Sequence, residues 1–132
     1  MILVDANILM YAAGGVHPHR EKCLAFLEDV SAKKVAATID AETLQEILHR
    51  YRAVNRWAVG KAVYEEALTV FPDVLAITRE VTEEAKAMMD RDAGLGARDA
   101  IHAAVMRVYR LSAICSYDRD FDRVPRLTRI EP

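Results

Sequence analysis

Asp5, Glu46, Asp99 and Asp118 are the residues of this 132-residue chain whose types and positions could do chemistry together. Asp5 interrupts an apolar run: Met1-Ile2-Leu3-Val4 precedes it, and Ile8 to Ala13 resumes the pattern after Ala6-Asn7. A continuous apolar run rich in β-branched residues reads as a buried strand, and the segment after Asn7 reads as the start of a helix. Asp5 then lies at the carboxyl end of a central strand, where open α/β sheets bind their ligands. An ionised carboxylate in so dry a place is costly unless a cation or several donors compensate it. A plainer alternative is that Asp5 or Asn7 caps the following helix. Glu46 is four residues after Glu42 on a helix, so the two share one side of it. Asp99 opens a strongly apolar helix, and Asp118 follows a strand, with Asp120 two residues later. Strand ends and the N-termini of the helices that follow them share one edge of a parallel sheet. Asp5, Asp99 and Asp118 can therefore converge although they are far apart in sequence.

Each acid also has a reading without chemistry. Glu42 and Glu46 lie opposite the Leu44/Ile47/Leu48 face, so periodicity places both in solvent. Asp99 could serve only the helix dipole, an effect worth ~0.3–1 kcal/mol. Asp118-Arg119-Asp120 reads as a charged turn. His102 is expected to be a packed histidine of its buried helix and not a ligand, and His17-Pro18-His19 an exposed loop ahead of a helix.

The chemistry that needs several carboxylates and no indispensable His, Ser or Cys is metal-assisted phosphoryl transfer. Hard oxygen ligands suit Mg²⁺ or Mn²⁺. Such ions orient a water for in-line attack, lower its pKa and stabilise the leaving oxygen. The chain has no glycine-rich phosphate loop with a lysine, no dinucleotide fingerprint and no nucleophile elbow.

The elements that must position these acids alternate. Strands are predicted at residues 2–4, 35–37, 74–76, 112–116 and 127–130. Helices are predicted from after Asn7 to residue 13 and at 18–30, 41–54, 57–68, 80–91 and 98–109, the third capped by Thr38 or Asp40. This order predicts a small α/β sandwich around a mainly parallel sheet. The length fits one domain over residues 1–132, able to bury about two-thirds of its unfolded surface. A composition of 52% hydrophobic and 29% charged residues is globular, not disordered. No apolar stretch reaches the length of a membrane span, and no basic segment precedes the first apolar run, so a signal peptide is not expected. Cys23 and Cys115 sit in apolar contexts, as packed thiols do in a reducing compartment, which argues for a cytoplasmic protein without a structural zinc site.

Eighteen basic against 20 acidic residues give a net charge of −2, so bulk charge does not mark a nucleic-acid binder. Arginines are nevertheless dense from Arg91 to Arg129 and at Arg50, Arg52 and Arg56. Beside an acidic site they could hold a phosphate backbone, although scattered surface arginines account for them equally well.

Four segments carry a resemblance. Ile2-Leu3-Val4-Asp5-Ala6-Asn7-Ile8-Leu9, Leu44-Gln45-Glu46-Ile47-Leu48, Gly96-Ala97-Arg98-Asp99-Ala100-Ile101-His102-Ala103-Ala104 and Ser116-Tyr117-Asp118-Arg119-Asp120-Phe121 resemble, in that order, the PIN-domain nucleases. Within that family the chain is most similar to the VapC toxins of toxin–antitoxin pairs. The resemblance spans essentially the whole sequence. It implies a three-layer α/β/α sandwich with a mainly parallel sheet and a Mg²⁺- or Mn²⁺-dependent endoribonuclease. It also implies an acidic metal pocket of Asp5, Glu46, Asp99 and Asp118, with Asp5 and Asp99 as direct ligands and the others acting through water or a second ion. Asn7 would support Asp5 or a ligand water, and Ser116 would orient the Asp118 carboxylate or a substrate phosphate. Asp120 would be a secondary ligand or part of the turn, and Glu42 does not occupy the family's glutamate position. The implied partners are an RNA substrate, a second copy in a homodimer, and a cognate VapB-like antitoxin lying in a groove between helices.

Two alternatives stay within this fold: a PIN nuclease of RNA processing without an antitoxin, and an inactive α/β interaction module. A haloacid-dehalogenase-like phosphatase also begins with a strand-end aspartate. It needs a second aspartate two residues later, where this chain has Asn7.

Overall fold

The strand that ends in Asp5 is central because its side chains are apolar on both faces. In the computed structural model, which describes residues 1–132, β1 (Ile2–Val4) pairs in parallel with β2 (Ala37–Asp40) on one side and β4 (Ala113–Cys115) on the other. With β3 (Val74–Leu75) and β5 (Arg129–Ile130) the sheet is five-stranded and parallel, in the order β3-β2-β1-β4-β5. Successive side chains of a strand point to opposite faces. Val4 accordingly enters a core with α1 (Ala6–Ala13), α2 (Arg20–Ser31), α3 (Ala41–Ala53) and α4 (Trp57–Val70). Leu3 enters the opposite core with α5 (Arg79–Arg91) and α6 (Ala97–Val108). The expected α/β/α sandwich is present.

The strand order places a topological switch between β1 and β4, since β2 and β3 lie on one side of β1 while β4 and β5 lie on the other. Outside the carboxyl ends of the strands, such a switch opens the crevice that binds ligands in α/β folds. Asp5 sits at its mouth.

One boundary differs in a way that matters. β2 runs over Ala37–Asp40, later than the predicted 35–37, so Asp40 itself ends a strand. Its carboxylate also caps α3, accepting from Thr43 N at 2.9 Å. Smaller differences concern helix ends. The second helix begins at Arg20 and not at Pro18, and the fourth continues to Val70.

The α3–α4 hairpin closes through a small residue. A Cβ added to Gly60 would lie 2.5 Å from Tyr51 Cβ, so the helices approach as closely as they do because Gly60 has none. Gly60→Ala should cost about 1–3 kcal/mol through overpacking, despite alanine's better helix propensity. Urea denaturation of the variant measures this, and an unchanged midpoint would contradict the packing argument.

Candidate acidic active site

Asp5 is held by donors from three directions. Its Oδ1 accepts from Ala6 N at 2.7 Å, so the helix-capping role is real and coexists with the site. Its Oδ2 accepts from Ser116 Oγ at 2.5 Å and from Asn7 Nδ2 at 3.2 Å. Asn7 Nδ2 also reaches Ser116 Oγ at 3.0 Å, and Asp118 N donates to the same hydroxyl at 3.0 Å. Ser116 thus directs its one proton at Asp5, while its oxygen accepts from the backbone N–H of Asp118. These bonds tie the ends of β1 and β4 across the switch crevice. Burial pushes the Asp5 carboxyl above its ordinary range, opposed by the nearby His102 charge and the Ser116 hydrogen bond.

A second group of side chains was not expected. His102, fully buried on α6, meets Asp40 Oδ2 through Nδ1 at 2.7 Å and Glu46 Oε1 through Nε2 at 3.0 Å. Asp5 Oδ1 lies 3.8 Å from the same Nε2. With an acid on each ring nitrogen, both nitrogens donate and the ring is an imidazolium. Burial alone would lower its pKa, but the Asp40 charge and the hydrogen bonds from Asp40 and Glu46 hold it well above 6.5. The atoms of Asp5, Glu46 and His102 are close enough to share an ion. A doubly protonated ring has no lone pair to offer, so His102 acts here as a built-in cation. The histidine is packed in its buried helix as expected, and its pairing with Asp40 and Glu46 adds a role that the sequence did not show.

The solvent reading of Glu42 and Glu46 is also corrected: their side chains are only 14% and 17% exposed. The reason is Thr43, which is fully buried and donates from Oγ1 to Val4 O at 3.2 Å. Docking Thr43 on β1 rotates α3, bringing its two glutamates toward the site and leaving Leu48 exposed. Glu42 lies 3.8 Å from Arg98 Nε, and burial raises its pKa.

Asp99, in the first turn of α6, completes the arrangement with Asp118 and Asp120, their nearest oxygens mutually within 4.8 Å. Asp118 also caps the 3₁₀ turn Arg119–Arg123 by accepting from Asp120 N at 2.9 Å, and Asp120 is exposed. Asp99 is pushed up to about 6, first by burial and then by the charges of Asp118 and Asp5. The two groups of acids therefore face one another electrostatically across the same sheet edge. Every donor outside the His102 pair is a carboxylate oxygen, the set that hard divalent cations take. The crowding of half-buried carboxylates fits such an ion, because the cation relieves both the desolvation and the mutual repulsion.

A parallel α/β/α sheet with acids at its switch point defines a class, and sequence comparison assigns it. The PIN domain family model matches residues 2–127, so the chain belongs to the PIN-domain family. Ribonuclease VapC13 of Mycobacterium tuberculosis is 39% identical over 130 residues, covering 98% of this chain and 99% of its own length. Among solved structures, VapC20 of Mycobacterium tuberculosis, a sarcin-ricin-loop-cleaving toxin, superposes with a TM-score of 0.77 at 19% identity over 95% of both chains. VapBC2 of Rickettsia felis, bound to a DNA fragment of its promoter, gives a TM-score of 0.75 at 16% identity over 99% of this chain and 98% of its own. Within the family this chain is one of the VapC ribonucleases, endoribonuclease toxins of toxin–antitoxin systems. No helix is long and apolar enough to cross a membrane.

Proposed function

We propose that this ribonuclease depends on Mg²⁺ or Mn²⁺, held by Asp5, Asp99, Glu46 and Asp118, and hydrolyses RNA phosphodiester bonds in the cytoplasm. The observation that carries this reading is the meeting of Asp99 with Asp118 and Asp120, their oxygens within 4.8 Å, at the sheet edge that also holds Asp5 and Glu46; burial and the charges of Asp118 and Asp5 raise the Asp99 pKa accordingly. When bound, the ion would supply Lewis-acid polarisation of the phosphate and an acidified water. The chain's own residues have separate tasks. Asp5 and Asp99 face the crevice as direct ligands, with Asp5 fixed in rotamer by Ala6, Asn7 and Ser116. Glu46 and Asp118 take water or a second ion, Glu46 oriented by His102. Asp120 supports the Asp118 turn. Arg98, beside Glu42 and one residue before Asp99, is placed to meet the RNA backbone.

RNA incubated with the protein should be cut with Mg²⁺ or Mn²⁺ and left intact with a chelator. Cutting that persists in the chelator would contradict the proposal. In cells, a cognate VapB-like antitoxin would restrain this activity, and two copies would form a homodimer. The apolar groove of about 570 Å³ between α1, α2 and α4, lined by Leu9, Leu24, Leu27 and Val63, suits an amphipathic antitoxin helix.

The site also predicts a pH dependence. In the metal-free protein the Asp99 pKa of about 6 exceeds its ordinary 3.8, so the stabilisation from its protonated form is complete below 3.8 and lost as pH rises through about 6. His102, also raised, acts in the same direction above 6.5. Half-exposure of Asp99 limits its part to about 1 kcal/mol after solvent screening, or ~3–5 °C in Tm. Thermal melts without metal should therefore rise between about pH 7.5 and about pH 5.5, and millimolar Mg²⁺ should reverse the Asp99 part by binding the ionised form. Identical melts with and without Mg²⁺ at both pH values would count against a metal at Asp99.

A further inference from the structure

Beside the acidic edge lies a cluster of rings that none of the chemistry above uses. His19 stacks on Tyr117 with ring centroids 3.6 Å apart, and His17 stacks on Tyr11 at 4.4 Å. Tyr11 meets Tyr117 edge-on at 5.5 Å, and His17 meets His19 at 5.0 Å, so the four rings are continuous. Two of them are tied to the site. Tyr117 stands between Ser116 and Asp118, its N–H directed at Asn7 Oδ1 at 3.4 Å. Tyr11 follows Asn7 by four residues on α1, hence on the same face one turn along. Three rings are partly covered, while His17 is exposed. The approach beside it is open: Val16 is fully exposed, and a Cβ on Gly15 would meet nothing within 4 Å. His19 N donates to His17 Nδ1 at 3.1 Å, which holds the exposed ring in place.

The next residue supplies a second observation. Arg20, whose N–H is bonded to His17 O at 3.1 Å, carries a buried Nε with no hydrogen-bond partner. Its only ion pair is with the largely exposed Glu21, at 4.0 Å. The Arg20 side chain is nevertheless 40% exposed and directly follows His19, so a cation and a surface of stacked rings match the two parts of a nucleotide, an anionic phosphate and a flat base.

We propose that Tyr11, His17, His19 and Tyr117 form a stacking platform for an unpaired RNA base flanking the cleaved bond, with Arg20 taking the adjoining phosphate. The proposal rests on the ribonuclease reading above and adds a subsite outside the acidic pocket. The platform would make the enzyme select RNA whose neighbouring base is free to unstack, since stacking on rings tolerates any base identity but requires an open π-face.

The test measures binding of a labelled, randomised single-stranded RNA by fluorescence anisotropy over a series of salt concentrations, in an Asp5→Asn background that does not cut it. His17→Ala should weaken binding about tenfold, the effect of losing one base–ring stack. Arg20→Gln should weaken it several-fold and flatten its salt dependence. Because His17 is exposed, thermal melts of His17→Ala should match the parent. With an abasic version of the same RNA, the parent should already bind weakly and His17→Ala should add no further loss. Equal affinity of parent and His17→Ala for intact RNA would overturn the platform while leaving the ribonuclease reading standing. A loss of the same size on abasic RNA would also overturn it, as would a parent that binds no RNA while the wild type cuts it; a wild type that cuts no RNA with Mg²⁺ or Mn²⁺ would overturn the ribonuclease reading as well.

Discussion

Asp99→Asn is expected to lower metal-dependent RNA cleavage by about three orders of magnitude, the cost of losing several kcal/mol of charge stabilisation at one ligand. The same substitution should raise the Tm of the metal-free protein. It removes a carboxylate whose pKa of about 6 records burial and repulsion by Asp118 and Asp5. A site that binds a cation stores that repulsion when empty, so activity and stability move in opposite directions. Cleavage assays and thermal melts on one preparation read both. If Asp99→Asn cut RNA as fast as the wild type, Asp99 would not be a ligand. If it lost activity and also melted lower, the loss would be one of folding.

His102→Leu is expected to have the largest effect on stability. The substitution roughly keeps the volume but leaves Asp40, which is fully buried, without the imidazolium 2.7 Å away. Removing one partner of a buried ion pair costs about 3–5 kcal/mol, because the remaining charge stays desolvated. Asp40→Asn is the milder counterpart. Asparagine still caps α3 through its one side-chain oxygen, and its amide NH2 can donate to Nδ1 of a ring that has given up that proton, so the loss should be smaller. His102→Leu should also weaken Mn²⁺ binding, by about 10–100-fold, since Glu46 loses the donor that orients it, whereas Asp40→Asn keeps that donor and should weaken it less. Isothermal titration measures the affinity and urea denaturation the stability. A His102→Leu protein as stable as the wild type would refute the assignment of His102 as the internal cation of this edge.

The acids at element starts and ends were the legible part of the site. Asp5 announced itself by breaking an apolar run, and Asp99 by opening an apolar helix, signals that need no knowledge of distant residues. The alternation of short apolar strands with amphipathic helices likewise carried the layered fold. Asp40 and His102 were hidden for two reasons. The apolar run that marks β2 in the sequence covers only 35–37, whereas the strand runs over Ala37–Asp40, so Asp40 does not stand out as a strand-end acid in the way Asp5 does. Their bond also spans 62 residues, beyond any local periodicity. A helix cap is a sufficient local account of Asp40, and it does cap α3. The glutamates of α3 were misread because periodicity weighs apolar residues. The face of this helix is set by Thr43, a polar residue buried through its bond to Val4 O. Leu48 counted toward the core and lies outside it.

The central claim is that a divalent cation sits among carboxylate oxygens at the switch point and that His102 is not one of its ligands. Crystals of the wild-type protein soaked in Mn²⁺ test this directly through anomalous diffraction. The account predicts a peak in contact with Asp5 and Asp99 oxygens, with His102 still bonded to Asp40 and Glu46. A peak coordinated by His102 Nε2, or no peak at this edge in protein that cuts RNA with Mn²⁺, would contradict it.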